Sequence, residues 1–293
     1  TKTTTDGPVP RDRTTVGTRG AVARNLSKAW LLVLIVAAGF AGMGWLVAER
    51  RGATLFAFCS LLGATAVWVV GDRALLGMLG ARPLADAELP RLRPTIEALA
   101  TPLSLVPPRL YLLPEGLPRA LVVGRGPRSS ALALNHSLVT ALRPEELRSL
   151  LAHELAHVRR RDVLVQTFAV LLASTLLELA RVGGWLSRAL LAILAPIAAA
   201  FTHLLLSSAR EVSADVLAAR ITDPDDLADA LTRLDRAADV VEFAASPATE
   251  PLYAVNPFDT HDRVARMFVT HPPLAERVAR LRALGAQSGG SAP

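Results

Sequence analysis

Pro144-Glu145-Glu146-Leu147-Arg148-Ser149-Leu150-Leu151-Ala152-His153-Glu154-Leu155-Ala156-His157 reads as one helix with a chemical face. Pro144 suits the first helical position, Glu145 and Glu146 complement the positive N-terminal end, and Leu147, Leu150, Leu151 and Leu155 recur at helical spacing. Positions four apart stack on one face of a helix, so His153 and His157 can each point a ring nitrogen at a single ion. Glu154 lies one step round, beside such an ion rather than on it. There it can take a proton from water and return it to a leaving amine.

A hydrolytic zinc site of this kind needs a third protein ligand and an open fourth position. Ser208-Ala209-Arg210-Glu211-Val212-Ser213-Ala214-Asp215 offers two candidates, because Glu211 and Asp215 again stand four apart on one helical face. One can complete the ligand set while the other orients a ligand histidine; Asp215 suits the orienting role, since zinc-bound imidazoles commonly donate their second N–H to a carboxylate. Taken alone, the pair reads equally as a solvated acidic face beside Arg210. Cys59 is the only cysteine, which excludes an intrachain disulfide and a thiolate metal cluster.

His153 to His157, then Asp162, a long apolar stretch, and Arg210-Glu211-x-x-Ala214-Asp215 together resemble the HtpX-type membrane zinc endopeptidases, relatives of the CAAX prenyl proteases. Pro108-Arg109-Leu110-Tyr111, Gly124-Arg125-Gly126-Pro127-Arg128, Ser130-Ala131-Leu132-Ala133 and Thr270-His271-Pro272-Pro273-Leu274 with Arg277 are similar to family segments in family order, over about residues 105 to 284. The resemblance implies one zinc ion per chain, held by His153, His157 and Glu211, with Glu154 as general acid/base and Asp215 behind the ligands. It also implies that His271 and Arg277 lie near the site, where a donor or a positive charge would stabilise the negative charge that grows during attack on a carbonyl. From the residues alone, His271 beside Pro272-Pro273 is equally a turn residue capping the last helix. Where the family usually carries Asn-Ala-Phe or Asn-Ala-Tyr on the strand flanking the cleft, this chain reads Arg119-Ala120-Leu121, a candidate substrate-binding edge with a longer, charged donor. The implied activity is hydrolysis of peptide bonds, with quality control of damaged or misfolded membrane proteins as the implied role. The rivals are a CAAX-type processing protease, whose relatives have more membrane spans, and a non-catalytic zinc-binding membrane scaffold, which would not require Glu154.

Around this motif the composition is that of a membrane chain. The 293 residues are 51% hydrophobic and the apolar residues are bunched. Trp30 to Ala48 and Ala53 to Gly71 carry no charge, and each approaches the length needed to cross the ~30 Å hydrocarbon core at ~1.5 Å per residue. Arg50, Arg51 and Gly52 leave only a tight turn between them, which predicts a membrane hairpin over 29–71. A secretory signal would not be followed at once by a second span. Val163 to Leu177 and Ala189 to Ala209 predict a second hairpin over 163–209, with Glu178 and Arg188 snorkelling or facing protein and Pro196 kinking its helix. Arg19, Arg24 and Lys28 before the first span and Arg73, Arg82, Arg91 and Arg93 after the second place both ends, and the catalytic region, on the cytoplasmic side of a multi-pass protein. With the resemblance, that side is the cytoplasmic face of a bacterial inner membrane.

The expected fold is therefore α+β and mostly helical: an integral-membrane, zincin-like protein with a small sheet beside the zinc-binding helix. Residues 1–28 read as a disordered cytoplasmic tail and 72–293 as the catalytic region, interrupted by the second hairpin. Short apolar runs at Arg109–Leu113, Ala120–Val123 and Ala131–Asn135 predict the sheet, whose edge could pair with an extended substrate. Asp223-Pro224-Asp225-Asp226 starts a helix with Leu227, Leu231, Leu234, Ala238 and Val241 on one face. Residues 244–260 form a loop that could gate the cleft, His136 ends a strand, His203 packs at an interface, His261 is a surface residue, and the chain closes in a Gly/Ser-rich tail. The net charge of +6 comes from arginines scattered at span ends and on helix faces, which suits lipid headgroups and excludes a nucleic-acid reading; protein or peptide substrates and the bilayer are the expected partners.

Overall fold

The computed structural model describes residues 14–289, apart from 86, 183, 242, 244, 259 and 260. Its first element, α1 (Thr14–Met78), is helical throughout except at Ala48 (φ −149°) and Glu49 (φ 48°), where the chain reverses and two antiparallel arms form the expected hairpin. The reversal comes just before Arg50-Arg51-Gly52, because two glycines let the arms touch: a Cβ on Gly52 would overlap the Gly44 carbonyl, and one on Gly44 would overlap the Gly52 carbonyl. Gly52→Val is accordingly expected to lower the melting temperature in detergent, at a cost of roughly 1–3 kcal/mol of overpacking, whereas Gly63→Val, in open space, is expected to leave it unchanged. The arms expose Leu46 (86%), Phe58 (65%) and Leu34 (63%), a surface suited to lipid rather than water. The helix begins at Thr14, so residues 14–28, expected to be disordered, continue the first arm, extending a helix that the apolar segment has already nucleated. Residues 1–13 of that expected tail lie outside the described residues.

After α1 come β1 (Arg82–Pro83), α2 (Leu92–Ala100), β2 (Arg109–Leu112), β3 (Ala120–Gly126), β4 (Ser129–Leu134), α3 (His136–Ala141) and α4 (Pro144–Arg160). The sheet order is β1-β2-β4-β3, with β2 and β4 parallel and the other pairs antiparallel, so β3 is an edge strand. The two-residue β1 has no hydrophobic period of its own and arises only from pairing with Tyr111 and Leu112. Both sheet faces are covered, as the nearly unbroken apolar runs require. Ala120, Val122, Leu132 and Leu134 pack with Leu150, Leu151 and Leu155 of α4, each leucine contributing roughly 2 kcal/mol by burial. Leu121, Val123, Ala131 and Ala133 pack instead with Leu75, Leu76 and Val170 from the apolar helices. The sheet thus stands between the leucine face of α4 and the apolar helices, while Asp162, just past the end of α4, brings the start of the next helix directly to His157.

The second apolar pair is α5 (Asp162–Val182) and α6 (Ser187–Leu205), joined through a 3-10 turn at Gly184–Leu186 whose Trp185 is 90% exposed. Both are long and apolar enough to cross a membrane, and Glu178 is paired with Arg181 at 2.7 Å. α5 also serves the catalytic region: Thr167 Oγ1 accepts from Gly124 N at 3.3 Å, at the β-bulge where Gly124 takes φ +142° and leaves no room for a side chain beside Ser129. α7 (Ala209–Ala218), α8 (Pro224–Ala238), α9 (Arg263–Met267) and α10 (Leu274–Gly289) complete the fold. The expected loop over 244–260 contains a 3-10 turn, Pro247–Leu252, and its residues 244, 259 and 260 lie outside the described ones, as do residues 290–293 of the tail. His136 opens α3 behind the Asn135 cap rather than ending a strand, since Asn135 Oδ1 accepts from Leu138 N at 3.2 Å. His203 Nε2 bonds the Met267 carbonyl oxygen at 2.8 Å, fastening α6 to α9, and His261 is exposed.

Candidate metal centre

α4 starts on the glutamate half of a capping box, since the Arg143 side chain has no acceptor to offer. Glu146, fully buried, accepts from Arg143 N at 2.7 Å and is paired with Arg143 and Arg233. Three turns on, His153 and His157 face α7, and Glu211 from the first turn of α7 faces back. His153 Nε2 lies 3.3 Å from His157 Nε2 and 3.5 Å from Glu211 Oε2, and His157 Nε2 lies 3.5 Å from Glu211 Oε1. These are the edges expected of a tetrahedral site with ligand distances of ~2.0–2.2 Å, roughly 3.3–3.6 Å. His153 is 0%, Glu154 2%, His157 4% and Glu211 2% exposed. Two imidazole nitrogens facing each other across 3.3 Å, beside a buried carboxylate, is the arrangement a cation stabilises. Of the described residues, His153, His157 and Glu211 form a group that can hold a metal ion.

Carboxylates stand behind both histidines. Asp215 Oδ1 is 2.9 Å from His153 Nδ1, and Asp162 Oδ2 is 3.3 Å from His157 Nδ1. Asp162 reaches back because α4 ends at Arg161, whose left-handed conformation (φ 59°) reverses the chain. Asp215 is in turn gripped by Arg277 of α10 through Nε (2.8 Å) and Nη2 (2.7 Å), while Arg277 Nη1 donates to the Ala254 carbonyl at 2.5 Å. Although burial alone would raise it, the Asp215 carboxyl is held at about 2 by the Arg277 charge and hydrogen bonds. His271 Nδ1 meets Glu250 at 2.6 Å, and its Nε2 lies 3.7 Å from Glu211 Oε2. Burial would lower the His271 pKa, but the Glu250 and Glu211 carboxylates outweigh it and hold the ring above its usual value. Burial in this pocket pushes Glu154 up to about 7, the range of a general acid/base at neutral pH.

Of the residues singled out in the sequence, His153, Glu154, His157, Glu211, Asp215, His271 and Arg277 therefore converge. Arg277 spends its fork on Asp215 and the Ala254 carbonyl, and approaches Glu211 Oε2 only to 3.8 Å. Arg119, Ala120 and Leu121 lie at the start of β3. The Arg119 guanidinium stacks 5.0 Å over Phe243 and donates to the Pro114 carbonyl, Ala120 packs toward α4, and Leu121 is fully buried on the opposite face. A cavity of about 20 Å³ separates Arg119 and Ala120 from Tyr253, Ala254, Val255 and Pro257, so the loop faces this end of the strand. Two buried carboxylates have roles the sequence does not assign: Asp162 enters there only as part of the motif that follows His157, with no partner, and Glu250, 21 residues before His271 in a proline-rich loop, carries no signal.

Residues 86–285 match the model of peptidase family M48. Protease HtpX homologs are similar to most of the chain: that of Pelotomaculum thermopropionicum is 34% identical over 279 residues, covering 89% of this chain and 99% of its own length, and that of Acidiphilium cryptum 37% identical over 282 residues, covering 88% and 96%. The homolog of Pyrococcus abyssi is 31% identical over 278 residues, covering 88% and 96%. Among solved structures, S. mikatae Ste24p aligns with a TM-score of 0.48 and 16% identity over 89% of this chain and 66% of that one. The chain belongs to peptidase family M48 and is a membrane metalloprotease of HtpX type.

Proposed function

We propose that this protein is a multi-pass zinc endopeptidase of the cell membrane, with its active site on the cytoplasmic face, that degrades damaged or misfolded membrane proteins. The convergence of His153, His157 and Glu211 within 4.8 Å of one another, beside a buried Glu154, carries the reading. One zinc ion would be held by His153, His157 and Glu211. When bound, zinc supplies a Lewis acid that acidifies water and polarises the scissile carbonyl. Glu154 takes the proton from water and delivers it to the departing amine. Asp162 accepts from the Nδ1–H of His157, and the Asp215 carboxylate, 2.9 Å from His153 Nδ1, orients that ring by its charge, so that both Nε2 lone pairs are aimed into the cage. Arg277 holds Asp215 in place, and His271 offers a hydrogen-bonding nitrogen from the Glu211 side. Arg119, Ala120 and Leu121 form the edge along which substrate lies, with broad specificity because strand pairing reads backbone. Tyr253, Ala254, Val255 and Pro257, which line a small cavity with Arg119 and Ala120, would have to make room for that pairing. The second hairpin, 163–209, is the membrane insertion within the catalytic region 72–293, and the first hairpin, 29–71, anchors it.

The test is cleavage of casein by purified protein in detergent, with metal content assayed. Inhibition by a chelator, restoration by zinc and close to one zinc per chain are expected; cleavage untouched by metal removal would overturn the reading. Zinc affinity is also expected to depend on pH. Burial opposes protonation of His153, but Asp215 and Glu211 outweigh it and raise the metal-free ring to about 9, so an incoming ion displaces a proton. Affinity should rise at least about tenfold per pH unit from about 6 and level off near 9, measured by competition with a chelating dye. A flat profile would contradict the ligand assignment.

A further inference from the structure

Three histidines face the Glu211 carboxylate, and each turns its Nδ1 to a different acidic side chain: His153 to Asp215, His157 to Asp162 and His271 to Glu250. The first two pairs orient the proposed ligands. His271 is outside the group that can hold the ion, yet it has the shortest of the three contacts, 2.6 Å. Its Nε2 is buried without a hydrogen-bond partner among the described residues and lies on the cage side, 3.7 Å from Glu211 Oε2. Glu250 is fully buried in the 3-10 turn, and a buried carboxylate is costly unless donors converge on it. They do: besides His271, Thr270 N donates at 3.1 and 3.2 Å to the two oxygens, and Thr270 Oγ1 donates at 2.8 Å. The turn is itself tied to the cage. Gln166 Nε2 and Arg210 Nη2 both donate to the Pro251 carbonyl, at 2.7 and 3.1 Å, and Arg210 also contacts Glu211.

Resting on the protease reading above, we propose that Glu250 is a positioning residue for peptide hydrolysis: it clamps Nδ1 of His271, fixes the ring plane, and leaves Nε2 as the only nitrogen able to meet the reacting carbonyl. The energetic logic is orientation, since a ring free to rotate in the pocket would meet the substrate in the productive pose only part of the time. A carboxylate serving only to cap the Thr270 loop would affect folding and not the chemical step.

The experiment is a double-mutant cycle on kcat and KM with a casein-derived peptide, using wild type, Glu250→Ala, His271→Ala and the double variant, with melting temperature and zinc content recorded for each. Glu250→Ala is expected to lower kcat about 10- to 100-fold with KM within about twofold, and to add less than about twofold in the His271→Ala background. Glu250→Gln, which keeps volume and an acceptor, is expected to lose less and guards against a folding failure. An equal fold-loss in both backgrounds, or a kcat loss matched by lost folding or zinc, overturns the proposal. Independently of proteolysis, histidine-labelled protein in micelles should show a far-downfield, slowly exchanging Nδ1 proton that disappears in both His271→Ala and Glu250→Ala but persists in Glu154→Gln. Its persistence in Glu250→Ala would remove the clamp, whereas absence of cleavage by zinc-loaded wild type would remove the protease reading and leave the clamp standing.

Discussion

Glu154→Gln is expected to lower kcat by about 10²- to 10⁴-fold while zinc stays bound at close to one ion per chain. Glutamine matches glutamate in volume, so the wholly buried neighbourhood of Leu150, Leu151 and Leu155 has no reason to repack. It cannot accept and return a proton. The affinity for zinc is expected to change little, because the proposed ligands are His153, His157 and Glu211 and not Glu154. Steady-state kinetics together with metal analysis read both quantities. A variant retaining more than about a tenth of wild-type kcat would show that the proton moves by another route.

Arg277→Met carries the largest expected loss of stability. The side chain is 2% exposed, and its removal strips from Asp215, itself 4% exposed, the guanidinium that grips both of its oxygens. Breaking such a pair from one side costs about 3–5 kcal/mol, which for a protein of this size is a fall of roughly 10 °C in melting temperature. The double variant Asp215→Asn/Arg277→Met should recover a large part of that loss, since no charge is then stranded. The pair also sets an acid limit. Asp215 is lowered from 3.8 to about 2, so its contribution, roughly 2 kcal/mol, is complete above the unfolded value near 3.8 and disappears as pH falls through about 2. Arg277→Met should flatten that acid dependence. A melting temperature within about 1 °C of wild type would show that Asp215 finds water or another donor when the arginine is gone.

How far the sequence alone reached follows from the range of each interaction. Helix α4 was legible because its start, its apolar period and its two histidines are all local, repeating every three or four residues within one segment. The four apolar arms were legible from length and lack of charge. Boundaries were less so: the hairpin turns at Ala48-Glu49 because Gly44 and Gly52 must meet, a fact of packing between the arms rather than of any stretch of residues. β1 was invisible because two residues acquire strand geometry only from their partner. Leu121, part of the proposed substrate edge, can offer only its backbone there, because the strand period sends its side chain to the face covered by Leu75 and Val170.

The sequence by itself determined that this chain has a helix with two imidazoles and a carboxylate on one side, apolar segments long enough to cross a membrane, and two acids four residues apart awaiting a partner. Those properties are set by covalent spacing and helical period, which no tertiary contact can undo. Only the tertiary structure decided which acids meet which histidines: Glu211 faces both Nε2 atoms, Asp215 and Asp162 take the two Nδ1 atoms, and Glu250 arrives from a loop to take the third. These pairings span up to 62 residues, as between Arg277 and Asp215, and depend on α7 and α10 docking against α4. The physical reason is burial. Each carboxylate becomes a strong partner only after packing strips its water and leaves protein donors, a ring or guanidinium among them, to replace it.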